Sequence, residues 1–187
     1  MKWNKTLLTT SLLGLLLPLT SQAESINVDF TATVTETTCN ITLKALNGSK
    51  VTDDGSDKYT LTIPDVGLDK IVNATEAAQA DFKLVASGCS NGISNIKTKI
   101  TGAATSGNLI KTTLTDTSAA KNIGMGFKKV GEADGNFIKP DGTGTVTWST
   151  TEITNGLDMT VALREITAGQ GTTGAFESTA TFSFTYQ

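Results

Sequence analysis

Residues 174–187 read GAFESTATFSFTYQ, and this stretch decides the fold. From Ala180 onward, Ala180, Phe182, Phe184 and Tyr186 alternate with Thr181, Ser183 and Thr185. That is the period of two expected of a half-buried β-strand, with one apolar face and one hydroxyl face. A hydrophobic strand with nothing after it to cover its second edge templates pairing with another chain. The same alternation also suits the closing strand of a complete β-sandwich, so periodicity leaves both readings open.

Working outward, a second alternating run stands near the other end. Ile26, Val28, Phe30, Ala32 and Val34 share one face, and Asn27, Asp29, Thr31, Thr33 and Thr35 the other. Ahead of it, Lys2 and Lys5 precede an apolar stretch rich in leucine from Thr6 to Leu19, and Ser21-Gln22-Ala23 has the small-x-small pattern of a cleavage site. Residues 1–23 therefore read as a signal peptide cut after Ala23. Spanning a bilayer would take about 20 apolar residues, and this run is too short.

The chain carries a formal net charge of −3, and loss of Lys2 and Lys5 makes the mature protein more acidic. No basic patch is present to hold nucleic acid or an anionic membrane. Two cysteines behind an export signal, Cys39 and Cys89, imply one disulfide formed in an oxidising compartment. Closing a loop of that length would stabilise the fold by about 4 kcal/mol in the chain-entropy model. A reactive thiol pair would need close C-x-x-C spacing, which is missing.

Between the ends, short apolar alternations recur among clusters of Gly, Asn, Asp and Ser, the pattern of an all-β domain. Strands are expected around Ile41 and Leu43, around Tyr59, Leu61 and Ile63 up to Pro64, and through Phe82 and Leu84 to Cys89. Further strands are expected at Ile96, Thr98 and Ile100, at Val146 and Trp148, and at Met159, Val161 and Leu163. Leu109, Ile110 and Leu114 mark an element of unassigned type. Asn73 with Glu76 three residues on predicts the capping box of a short helical turn. Gly124-Met125-Gly126-Phe127 predicts a glycine-punctuated strand or bulge, and residues 131–135 a hairpin loop from which Phe137 and Ile138 return.

Chemistry is sparse. The sequence has no histidine, which removes the commonest general base and metal ligand. Ser94-Asn95-Ile96-Lys97 has the letters of an S-x-x-K motif but lies in a strand-like run without companion segments. Gly124-x-Gly126 lacks the rest of a dinucleotide fingerprint, and Asp53, Asp54 and Asp57 break the register of a calcium loop. Asn40-Ile41-Thr42 and Asn73-Ala74-Thr75 match the glycosylation sequon, which matters only in a glycosylating cell. No catalytic residue, cofactor or metal site is expected.

Taken together, the Val28-x-Phe30-x-Ala32-x-Val34 run leading to Cys39, the Phe82-x-Leu84 strand leading to Cys89, Gly174 fourteen from the end and the penultimate Tyr186 carry a likeness. Across the whole mature chain the sequence resembles fimbrial subunits of the chaperone–usher pathway of Gram-negative bacteria. The resemblance implies an all-β, incomplete immunoglobulin-like sandwich completed by a donated strand, the mode of β-augmentation known from chaperone–pilin complexes. It implies a pilin domain over residues 24–187, with residues 24–34 as donor or first strand and 174–187 as the groove strand.

By the same resemblance, a periplasmic chaperone would fill the groove and anchor Gln187. At an outer-membrane usher the N-terminal segment of the next subunit would replace it. Gly174, Ala180, Phe182, Phe184, Tyr186 and Gln187 are the expected groove and chaperone residues. Ile26, Val28 and Phe30 are the expected donor residues, although only four residues precede Val28-x-Phe30 after the cleavage site, and the same run suits the subunit's own first strand. The implied function is a structural subunit of surface fimbriae that mediate adhesion, with a host receptor among the expected partners. The alternatives are a minor or tip subunit that binds carbohydrate, for which Trp148 would be the platform, and a free secreted enzyme or inhibitor.

Overall fold

The computed structural model describes residues 38–187; the signal segment and the donor residues Ile26, Val28 and Phe30 lie outside the described residues. The chain runs β1 (Asn40–Ala45), β2 (Lys50–Gly55), β3 (Lys58–Thr62), α1 (Leu68–Val72), a 3-10 turn (Glu76–Ala78), β4 (Gln79–Ser87), β5 (Ile96–Gly102), β6 (Thr105–Ser106) and β7 (Leu109–Lys111). It continues through β8 (Ile123–Lys129), a second 3-10 turn (Asp134–Asn136), β9 (Asp141–Thr147), α2 (Thr150–Asn155), β10 (Leu157–Glu165) and β11 (Ala180–Tyr186).

Three sheets form. A six-stranded sheet has the order β1-β4-β10-β8-β7-β6, a three-stranded sheet the order β11-β5-β9, and β2 pairs with β3 alone. Alternation explains most of this. In β5, Ile96, Thr98 and Ile100 are fully buried while Lys99 and Thr101 face out. In β10 and β8 nearly every residue is buried, as befits neighbouring strands in the middle of the larger sheet. The two main sheets meet across a trio of edge-to-face aromatic rings: Phe82 of β4, Phe127 of β8 and Phe182 of β11, with centroids 5.3–6.2 Å apart. The fold is an all-β sandwich, and among the described residues the three-stranded sheet ends on one side at β11.

Trp148 belongs to this core. It is 2% exposed, its indole N–H donates to Thr98 Oγ1 at 2.8 Å, and it packs edge-on to Phe184. A sugar-stacking platform would have to be open to solvent, so this Trp is not one. Thr98→Val keeps the shape but leaves the indole N–H unpaired in the core. We expect a loss of about 1–3 kcal/mol in urea unfolding; an unchanged midpoint would show that the bond contributes nothing.

Several local expectations change. Of the two readings of residues 124–127, strand or bulge, the strand holds: β8 runs in unbroken register against β10 from Met159↔Lys129 to Glu165↔Ile123. Glycine is needed at 126 for space, because a Cβ there would come within 2.8–2.9 Å of Phe137 and Leu109. Residues 131–135 do not turn a hairpin within one sheet. Ile138 does return to donate its N–H to the Phe127 carbonyl, but the chain then crosses over, and β9 pairs with β5. Asn73 ends α1 instead of starting a helix, with its side chain donating to the Asp69 carbonyl, and the 3-10 turn begins after Thr75. The capping box lies elsewhere: Ser149 and Glu152 satisfy each other's backbone N–H at the start of α2.

A charge network in the larger sheet was not anticipated. Lys128 of β8 and Arg164 of β10, both almost fully buried, converge on Asp134 in the β8–β9 connection. Lys128 lies 2.7 Å from the carboxylate, and Arg164 also donates to the carbonyls of Leu163 and Ala74. Burial pushes the Asp134 carboxyl up, but hydrogen bonds and charge from Arg164 and Lys128 outweigh it and hold the group below its ordinary 3.8.

Candidate functional site

The register of β11 on β5 determines what its free edge offers. Gln187 and Asn95 exchange both backbone hydrogen bonds, at 2.9 Å each, and Ser94 N–H also donates to the Gln187 oxygen at 2.8 Å. In an antiparallel ladder such pairs alternate with non-bonded ones. Thr185, Ser183 and Thr181 therefore bond to β5, whereas the N–H and C=O groups of Tyr186, Phe184, Phe182 and Ala180 point away from it. The Ile96 carbonyl, opposite Tyr186, bonds to Trp148 on the far side, which agrees with this parity. Among the described residues β11 pairs only with β5, so those outward groups form an open edge.

β3 has a similar edge, because its only described partner strand is β2. The β2–β3 hairpin turns through Ser56 and Asp57, both at positive φ, which is the two-residue geometry that matches strand twist. The aspartates at 53, 54 and 57 thus build a turn: Asp53 accepts from Gly55 N–H and Asp54 from the Thr60 hydroxyl. Among the described residues no cluster of three or more potential ligands is arranged to hold a metal ion.

Between the two edges runs a groove of about 800 Å³. Tyr59 and Leu61 of β3 stand on one rim and Ala180 and Phe182 of β11 on the other, while Phe82, Met125 and Phe127 lie along its lining. One end is lined by the segment from Thr172 to Thr179, and Gly174 fixes that segment's path. Ala175 bridges Ala119 in parallel, exchanging backbone bonds with Ser118 and Ala120, and a Cβ at 174 would lie 2.5 Å from the Ala120 nitrogen. Only glycine fits there.

The expected site residues therefore divide. Gly174, Ala180 and Phe182 line the groove. Phe184 packs on Trp148, and the Tyr186 hydroxyl donates to the Cys39 carbonyl at 3.2 Å, with burial pushing its phenol up. Cys39 and Cys89 are joined in a disulfide that ties β1 to the end of β4, so Tyr186 reaches the bridged end of the sandwich. Gln187 is held by the Ser94–Asn95 backbone. Sequence reading missed Tyr59 and Leu61 as rim residues. Their alternation was visible, but nothing in it marks a strand whose far edge is open.

A family model described as "Fimbrial protein" matches residues 28–187. The chain belongs to the fimbrial protein family. A fimbrial-like relative from Escherichia coli (strain K12), "Uncharacterized fimbrial-like protein YadM", is 54% identical over 181 residues, 94% of each chain. Among solved structures, this fimbrial chain is similar to the P pilus rod subunit PapA at 16% identity, covering 86% of this chain and all of that one, with a TM-score of 0.47. It is also similar to the P pilus adaptor subunit PapF at 16% identity, covering 80% and 95%, with a TM-score of 0.45. Family membership follows from the first two comparisons. As a fimbrial protein it belongs with the components of surface fimbriae.

Proposed function

We propose that this subunit polymerises by donor-strand exchange. The N-terminal segment of one copy, residues 24–34 of a mature domain spanning 24–187, enters the groove of the next and pairs with the edges of β3 and β11. The observation that carries this reading is that, among the described residues, two strand edges without a partner strand flank one groove lined by Phe82, Phe127 and Phe182. A single inserted strand would join β2-β3 to β11-β5-β9 and satisfy both rows of backbone groups. Each of Ile26, Val28 and Phe30 would gain roughly 1.5–3 kcal/mol on full burial. With a ladder of backbone bonds added, the joint dissociates very slowly.

In this scheme residues 1–23 direct export, a periplasmic chaperone occupies the groove beforehand, and an outer-membrane usher exchanges it for the next subunit. The finished fibre mediates attachment to a host receptor. Gln187 and the outward backbone of β11 are the surfaces a chaperone would hold.

A synthetic peptide of residues 24–37 tests the groove. Mixed with subunit released from denaturant, it should yield a soluble one-to-one complex, and the same peptide carrying Val28→Asp and Phe30→Asp should not. Equal capture of both peptides would overturn the assignment of those residues. Immunogold labelling along the shaft, as opposed to the tip alone, separates the structural role from the tip role.

A further inference from the structure

The sequence contains three Asn-Gly pairs, Asn47-Gly48, Asn91-Gly92 and Asn155-Gly156. An asparagine followed by glycine can lose its amide to its own backbone, provided the side chain is free to rotate and the next N–H is free to react. The structure treats the three pairs differently. Asn47 is held: its side-chain amide donates to the Asp81 carboxylate at 2.7 Å. Gly156 is committed as well, since its N–H closes α2 on the Glu152 carbonyl at 2.8 Å. Asn91 and Gly92 are both exposed, in the turn between the disulfide and β5. Among the described residues no hydrogen bond engages the Asn91 side chain or the Gly92 N–H, and a Cβ built on Gly92 would meet nothing within 4 Å.

We infer that Asn91 is a site of spontaneous deamidation in this protein. The Gly92 backbone nitrogen attacks the Asn91 Cγ. The new N–Cγ bond forms as the Cγ–Nδ2 bond breaks, the attacking nitrogen gives up its proton, and ammonia leaves. The cyclic imide is then opened by water at either carbonyl, giving aspartate or isoaspartate at 91. Water is the only co-reactant and ammonia the only by-product, with no change of oxidation state. Both products add a negative charge, and isoaspartate lengthens the backbone of the loop from Cys89 to Ser94, whose far end holds Gln187.

The test is peptide mapping by mass spectrometry on the full-length mature chain aged in mildly alkaline buffer, with all three asparagines followed in one sample. Asn91 should convert at least about tenfold faster than Asn47 or Asn155, because those two must first break a hydrogen bond. Asn91→Gln, whose longer side chain disfavours the ring, should remove the fast phase and leave the other two unchanged. Equal rates at the three sites, faster conversion at Asn47 or Asn155, or a fast phase that persists in Asn91→Gln would each overturn the inference.

Discussion

A chain lacking residues 182–187 should give no fibres and no soluble subunit. The deletion removes Phe182 from the ring trio that joins the sheets and takes Phe184 off Trp148. It also removes most of the only described partner of β5 on that side. Loss of a single buried Phe side chain costs about 3–5 kcal/mol, and whole domains are stable by only about 5–15 kcal/mol. Phe182 and Phe184 are half-buried, so each costs less than that, but the two losses come together with the loss of a whole strand from the three-stranded sheet, which the fold cannot tolerate. Replacing the outward Thr181, Ser183 and Thr185 with alanine changes the opposite face of the same strand, which is exposed. That variant should assemble as the parent does. Electron microscopy and periplasmic yield read both results, and normal fibres from the truncated chain would refute the role given to β11.

Asp134→Ala should destabilise the subunit by about 3–5 kcal/mol, because it strands two buried cations instead of one pair partner. Lys128 and Arg164 expose only 7% and 9% of their side chains, so water cannot replace the lost carboxylate. The pH dependence has a definite sign. The folded state depresses the Asp134 carboxyl below 3.8, so its contribution is present above that value and is lost as the pH falls through the lower, folded one. Unfolding followed from neutral to strongly acidic pH should show this component in the parent and not in Asp134→Asn. A variant as stable as the parent at neutral pH would show that the network is dispensable.

Much of the fold was legible because its strands are half-buried. Alternation at Ile96-Thr98-Ile100 and at Ala180 to Tyr186 follows directly from one face being in the core. Where the period of two fails, the reading left strand and bulge open, and the structure shows the strand. β8 is buried on both faces, and its glycines, chosen for the close approach of Phe137 and Leu109, resemble punctuation. The Asp134 network joins residues far apart in sequence, and no local pattern encodes it. At the candidate site, β11 as a half-buried terminal strand was readable, but the division of its aromatics was not. Phe182 faces the groove, while Phe184 and Tyr186 turn to Trp148 and Cys39, which depends on where the disulfide and β5 lie. The opposite rim needed the β2–β3 pairing to be known first.

The open edge of β11 can be measured residue by residue. Hydrogen exchange at the backbone amides of Phe182, Phe184 and Tyr186, which point away from β5, should be fast in the unassembled subunit. The same amides should be strongly protected in fibres, while Thr181, Ser183 and Thr185 are protected in both. A monodisperse monomer in which Phe182, Phe184 and Tyr186 are already protected would mean that the sheet is complete within one chain.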